Sequence, residues 1–185
     1  MQRRKDPEAS PYIHHPIALA QVLRNEAGIT DTVVLCAALI HDTIEDTNTT
    51  AKELRKRFGK VITKIVVDVT ENKRLPKETR KRLQIEHAPS LSPEAKLVKL
   101  ADKICNIRDV TMTPPADWSL QRRQEYFDWA KQVVDGLRGV HPKLESVFDS
   151  AYGKRHKLKR SRRYSQRNRA GDFGDLHFVK VKQRR

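Results

Sequence analysis

Most of the side chains able to do chemistry lie in one short segment, Ile40-His41-Asp42-Thr43-Ile44-Glu45-Asp46-Thr47. It sets an imidazole and three carboxylates at the end of a strongly apolar run, VVLCAALI, at residues 33–40. Carboxylates are rarely buried unless they are paired or hold a cation, and Asp42, Glu45 and Asp46 repel one another unless something positive lies among them. A divalent metal would answer both demands. His41 and Asp42 offer one borderline nitrogen and one hard oxygen. A second His and a second Asp would complete a site suited to Mn²⁺, with Fe²⁺ and Zn²⁺ left open. The candidates are His15, just before Pro16, and Asp102, which interrupts an apolar helical pattern one turn from Val98 and from Asn106. Taken singly, each is ordinary: a His ahead of a helix is most often a cap or a solvated residue, and an Asp in a Lys-rich helix most often faces water.

The elements that must position these groups read as consecutive helices. Pro16 suits a first helical turn, Ile17, Leu19, Ala20 and Leu23 recur at helical spacing, and Gly28 can close that helix in the left-handed region. Asp31 is an N-cap for residues 32–41, whose near-continuous apolar character predicts a helix buried on most sides. Thr50 and Glu53 form a capping box ahead of Leu54 and Phe58, with Gly59 as the stop. Residues 61–70 (VITKIVVDVT) are rich in β-branched types, yet Val61, Ile65 and Val69 with Ile62 and Val66 also fit one helical face. Helix is favoured, since no partner strand is visible elsewhere. Ser92-Pro93-Glu94 opens a further helix with Leu97, Leu100, Ala101, Ile104 and Ile107 turned inward, and two more follow at residues 119–137 and 142–152. The expected fold class is all-α, with no internal repeat.

Taken jointly, Tyr12-Ile13-His14-His15-Pro16, then the segment from His41 to Thr47, then Leu100-Ala101-Asp102-Lys103 with Asn106, resemble the HD-domain phosphohydrolases. The likeness is specifically to the hydrolase half of the RelA/SpoT-type enzymes and their small stand-alone animal form. It runs over residues 3–152 and includes Arg3-Arg4-Lys5-Asp6-Pro7, His87-Ala88-Pro89 and Gln124-Glu125-Tyr126-Phe127. The resemblance implies a helical bundle holding one Mn²⁺ through His15, His41, Asp42 and Asp102. It implies removal of pyrophosphate from the 3′ position of guanosine 3′,5′-bis(diphosphate), and animal members of the family are also described as removing the 2′-phosphate of NADPH. Glu45 and Asp46 become the catalytic pair, with the base role assigned first to Glu45. Arg4, Lys5, Lys77 and Arg122 match phosphate or ribose contacts, Asn106 and Tyr126 would complete the pocket, and His14 is a bystander. The rival readings are an HD-domain hydrolase of another nucleotide and a catalytically idle nucleotide- or RNA-binding protein. The family pattern has a further helix before the Arg3-Arg4-Lys5 segment, so this chain is expected to lack it. Without a synthetase domain, synthesis of the nucleotide is not expected.

Charge and composition set the remaining bounds. The chain has 185 residues with 38 Lys or Arg against 23 Asp or Glu, a formal net charge of +15, and its length is that of one domain. Residues 151–185 hold 13 Lys or Arg and 2 acids, which leaves only +4 for residues 1–150. The resemblance implies that residues 1–152 form the phosphohydrolase domain, and the charge marks residues 153–185 as a basic, mostly disordered tail that could attract polyanions such as nucleic acid. The longest apolar run is far shorter than the roughly 20 residues that span a bilayer, and no signal-like stretch opens the chain. A membrane is not an expected partner; a small nucleotide is. Cys36 and Cys105 are too few for a disulfide framework and fit a reducing, cytoplasmic compartment.

Overall fold

The computed structural model describes Arg3 and residues 8–158. Arg4, Lys5 and the basic stretch 159–185 lie outside the described residues. Among the described residues extended pairing is confined to one isolated antiparallel bridge, Arg3 with Pro11, and everything else is helix and connecting turn. No helix is long and apolar enough to cross a membrane.

The chain runs through α1 (His14–Gln21), which continues as a π-helical turn (Val22–Ala27) and closes at Gly28 with φ 82°. Then come α2 (Thr32–Ile40), the one-turn α3 (Thr43–Asp46), α4 (Ala51–Val69), α5 (Lys77–His87) with a 3₁₀ turn (Ala88–Ser90), α6 (Pro93–Met112), α7 (Leu120–Asp135) and α8 (Pro142–Tyr152). Local chemistry accounts for the starts. The Asp31 carboxylate accepts from the Val33 N–H at 2.8 Å, and Ser92 and Ser119 cap α6 and α7 through their hydroxyls. Thr50 and Glu53 form both halves of a capping box.

The long α6 is the axis of the bundle: α1, α2, α4, α7 and α8 all pack on it. Val98, Leu100, Ala101, Ile104, Ile107 and Val110 are fully buried along it. Leu19 and Leu23 from α1 and its π turn, Phe127 from α7 and Leu144 and Phe148 from α8 fill the remaining core. Burying such side chains contributes roughly 1.5–3 kcal/mol each and makes α6 the least displaceable element.

Three expectations are corrected in detail. Residues 60–69 are helix, as favoured, but Gly59 (φ 82°, ψ 176°) kinks α4 rather than ending it, and the helix resumes at once. Thr63 marks the restart, its hydroxyl donating to the Gly59 carbonyl at 2.7 Å. In the resumed half Ile65, Val66 and Val69 are buried while Val61 is 63% exposed, so the apolar face is narrower than the β-branched run suggests. On α2, Val34, Ala37 and Ala38 are buried but Leu39 is 43% exposed: one side, not most sides, meets the core. Sequence periodicity also passes over α5, whose one fully buried residue is Arg80. Beyond Tyr152 a 3₁₀ turn (Gly153–Lys157) follows, Arg155 pairs with Asp128, and Leu158 is buried against the body.

Candidate metal and phosphoryl-transfer site

Helices α1, α2 and α6 bring their polar interruptions to one point. His15 sits in the first turn of α1, 6% exposed against 51% for its neighbour Ile13, with its ring stacked on Tyr12 at 5.7 Å. His41 follows the last residue of α2, and the two imidazoles lie 5.4 Å apart. Asp102 reaches them from α6: its Oδ1 is 3.2 Å from His15 Nε2 and 4.0 Å from His41 Nε2. Asp42 Oδ2 lies 3.0 Å from His41 Nε2. One ligand atom each from His15, His41 and Asp42 falls within 4.8 Å of the others. All four residues expected around an ion are therefore neighbours, drawn from segments up to 87 positions apart in the chain.

The donor set fits a divalent cation on its own chemistry. His41 Nδ1 lies 2.8 Å from the Ala38 carbonyl, which fixes Nδ1 as the donor and leaves Nε2 a lone pair. That Nε2 is buried and has no hydrogen-bond partner, although two carboxylates face it. Burial, the nearby His15 and the surroundings hold the His41 imidazole neutral, with its pKa lowered to about 4. Burial pushes the Asp42 carboxyl well above the usual range, and the charges of Asp102, Glu45 and Asp46 push it the same way. Burial acts likewise on Asp102 but is outweighed by Lys103, His15 and His41, which hold that carboxylate well below its ordinary value. A neutral His41 imidazole with an orphaned nitrogen, the His15 ring beside it and crowded acids form a pocket for positive charge.

The candidate catalytic pair stands beside this cluster on α3. The turn is pinned by the Asp46 N–H on the Asp42 carbonyl at 2.8 Å and by the Thr43 hydroxyl on Ile40 O at 2.7 Å. Asp46 is 8% exposed. Glu45 Oε2 accepts from the Glu71 N–H at 3.1 Å, and its Oε1 lies 3.7 Å from Lys73 Nζ. Lys73 Nζ also donates to Asp46 Oδ1. A cavity of about 230 Å³ opens along His41, Asp42, Thr43 and Asp46, with Tyr12, Ile13, Pro16 and Leu39 as its apolar wall.

The expected substrate contacts are placed unevenly. Arg4 and Lys5 lie outside the described residues. Lys77 is the first residue of α5. The Asn106 amide donates to Asp102 Oδ1 at 2.7 Å, so it steadies that carboxylate. Arg122 is 8% exposed and its guanidinium lies 4.4 Å over the Trp118 ring. Tyr126 is enclosed between Trp118 and Trp129, at 5.4 and 5.2 Å, and burial followed by the charge of Asp102 raises its phenol well above the ordinary value. His14, set aside on sequence grounds, is exposed.

Sequence reasoning passed over several participants. Lys103, 3% exposed, pairs with Asp102 Oδ2 at 3.1 Å and lies 4.5 Å over the Trp129 ring. Lys99 is buried and donates to the Val69 carbonyl at 3.1 Å. Glu71 holds Arg80 at 3.1 Å and accepts from Gln84. A signal existed for the first two: lysines at i and i+4 inside the buried stripe of α6 must have partners there.

Residues 1–128 match the family model described as HD domain. Two curated relatives, both called guanosine-3′,5′-bis(diphosphate) 3′-pyrophosphohydrolase MESH1, are highly similar. That of Xenopus tropicalis is 58% identical over 151 residues, 82% of this chain and 84% of its own length. That of Homo sapiens is 56% identical over 154 residues, 83% and 86% of the two chains. A solved structure, described as a metazoan orthologue of SpoT that hydrolyses ppGpp, superposes with a TM-score of 0.81 at 47% identity, covering 85% of this chain and 89% of that one. With this similarity over most of its length and the His-Asp cluster in place, the chain belongs to the HD-domain family, among the stand-alone relatives of the RelA/SpoT hydrolases.

Proposed function

We propose that this chain is a metal-dependent 3′-pyrophosphohydrolase of guanosine 3′,5′-bis(diphosphate), releasing GDP and pyrophosphate. The observation that carries the reading is the buried, partnerless Nε2 of His41, set among His15, Asp42 and Asp102 and next to the Glu45–Asp46 pair. The relatives' established names favour this substrate over other nucleotides.

His15, His41, Asp42 and Asp102 would hold the ion, for which we propose Mn²⁺ on the mixed nitrogen and oxygen donor set. Such an ion supplies Lewis acidity, making water a stronger acid and drawing electron density from a phosphoryl oxygen. Glu45 takes the proton of the attacking water as its oxygen forms a bond to the phosphorus on O3′. The O3′–P bond breaks, O3′ ends protonated as the ribose hydroxyl, and pyrophosphate leaves. Asp46 shares the orienting of that water. Asn106 fixes Asp102 by its hydrogen bond, and Lys77, Arg122 and Tyr126, with Arg4 and Lys5, receive the phosphates and ribose. The two cysteines are both free thiols, which supports a cytoplasmic, reducing setting.

The test is incubation of the full-length chain, with and without Mn²⁺, with guanosine 3′,5′-bis(diphosphate) and separately with NADPH, the products resolved by anion exchange. GDP and pyrophosphate formed only with metal are expected. A folded, metal-loaded protein inert on the guanosine nucleotide would overturn the proposal, and phosphate released only from NADPH would redirect it to a 2′-phosphatase.

A further inference from the structure

We infer that Lys73 is a positioning residue that clamps the Glu45–Asp46 pair into its working arrangement. The inference rests on the assignment of that pair to the water-activating role.

Adjacent carboxylates on a one-turn helix have little to hold them apart or aim them. The Glu45 and Asp46 side chains are 5% and 3% exposed, so water does not screen their repulsion. On α6, Lys103 pairs with Asp102, and Lys99, whose charge also feels Glu45, donates its hydrogen bond to the Val69 carbonyl. Lys73 touches both members: its Nζ donates to Asp46 Oδ1 and lies 3.7 Å from Glu45 Oε1.

The segment carrying Lys73 is anchored far more firmly than a surface loop. It leaves α4 just after Val69, whose carbonyl is held by the buried Lys99. At Glu71 the backbone N–H binds Glu45 Oε2 while the carboxylate binds Arg80 and Gln84 of α5. The next turn is fixed by Asn72, whose side-chain oxygen accepts from the Arg74 N–H at 3.1 Å and whose carbonyl accepts from Leu75 N–H at 3.0 Å. Glu45 is thus gripped twice by one segment, through a backbone N–H on one oxygen and a lysine near the other. A strap tied to α4 and α5 on both flanks transmits their rigidity to α3, which is too short to be rigid alone.

A clamp and a plain phosphate contact differ in the kinetic constant they move. Lys73→Met should lower kcat on guanosine 3′,5′-bis(diphosphate) by tenfold or more, with KM within about twofold and bound Mn²⁺ unchanged. Lys73→Arg should recover most of the lost kcat, because a guanidinium can bridge the same two carboxylates. A second readout needs no turnover. In melts of the wild type, Lys73→Met, Asp46→Asn and the double variant, the shifts should be non-additive, the double variant melting higher than the sum of the single losses. Additive melts together with an unchanged kcat would overturn the clamp, as would a raised KM at unchanged kcat, which marks a substrate contact. An inactive wild type with non-additive melts would sink the hydrolase reading and leave the ion pair standing.

Discussion

One set of groups, His15, His41, Asp42 and Asp102, hangs from α1, α2 and α6, helices whose other buried residues are apolar core apart from Lys99 and Lys103 of α6. A second set, Lys73, Arg80 and Arg122, comes from a loop and from α5 and α7; Arg80 is the one buried residue of α5, and Arg122 lies over Trp118 at the start of a helix that also gives Phe127, Val133 and Val134 to the core. The first half is placed by hydrophobic burial, so its geometry is set before any ligand arrives. The cations of the second are held by ion pairs and ring contacts, with Glu71 holding Arg80 and Trp118 lying under Arg122. A reaction that needs a rigid ion site and cations to meet a polyanion would gain from this division: apolar packing fixes the first set, and ion pairs aim the second.

The largest expected effect tests whether the halves are separable. His41→Ala or Asp102→Ala should remove metal and activity together, read by elemental analysis and turnover. Arg122→Ala should keep the metal and raise KM about 10- to 100-fold, the scale of a lost hydrogen bond to a charged group. Metal lost from Arg122→Ala would break the distinction. Next in size, Glu45→Ala should retain the metal and lose about 10²- to 10⁴-fold in kcat. Near-normal turnover there would remove Glu45 from the mechanism.

These two halves were unequally legible in the amino-acid sequence. His41, Asp42 and the Glu45–Asp46 pair stand out because they follow eight apolar residues, where each polar group costs free energy unless it has a partner. Asp102 stands out against Leu100, Ala101 and Ile104 in the same way. Lys73 and Arg80 do not: in a chain with 38 Lys and Arg, one more cation carries no signal, and its partners show only in three dimensions. The same blindness hid α5, whose KETRKRLQIEH shows no apolar stripe: its one buried residue is Arg80, with Ile85 packed partly buried against the core. Residues 61–70 are ambiguous for the opposite reason, since β-branched residues satisfy both periods; helix is favoured for want of a partner strand, and in the structure the resumed half of α4 packs on α6.

A milder perturbation of the metal half is pH. In the metal-free protein the Asp42 carboxyl has its pKa raised by burial and by Asp102, Glu45 and Asp46, so it carries a proton well above the ordinary carboxylate range. Binding an ion must expel that proton, and apparent affinity should therefore fall as pH drops below the raised value, by up to about tenfold per pH unit. His41, with its pKa lowered to about 4, is already neutral there and adds no slope until the solution is more acidic. A Mn²⁺ titration from neutral pH downward reads this directly, and Asp42→Asn should flatten the slope along with weakening the site. An affinity independent of pH would mean that Asp42 is not a ligand.

The smallest effect probes the scaffold of the cationic half. Gly136 ends α7 in ordinary helical backbone, φ −76° and ψ −14°, so an added Cβ meets no torsional strain. It meets a neighbour instead: the Cβ would lie 2.9 Å from Ala88 Cβ and 3.1 Å from Pro89 Cδ, in the turn that follows α5. Neither atom is the end of a flexible chain, so α5 and α7 must part slightly, at a cost of about 1–3 kcal/mol, partly offset by alanine's smaller entropy loss on folding. Gly136→Ala should therefore lower the melting temperature by about 2–6 °C. Because α5 carries Lys77 and Arg80 while α7 carries Arg122 and Tyr126, the parted helices should also raise KM modestly. The metal ligands hang from α1, α2 and α6, and Mn²⁺ affinity should not change. If it falls together with stability, the ion site is not set by the apolar core alone, and the cationic side must help to hold it in shape.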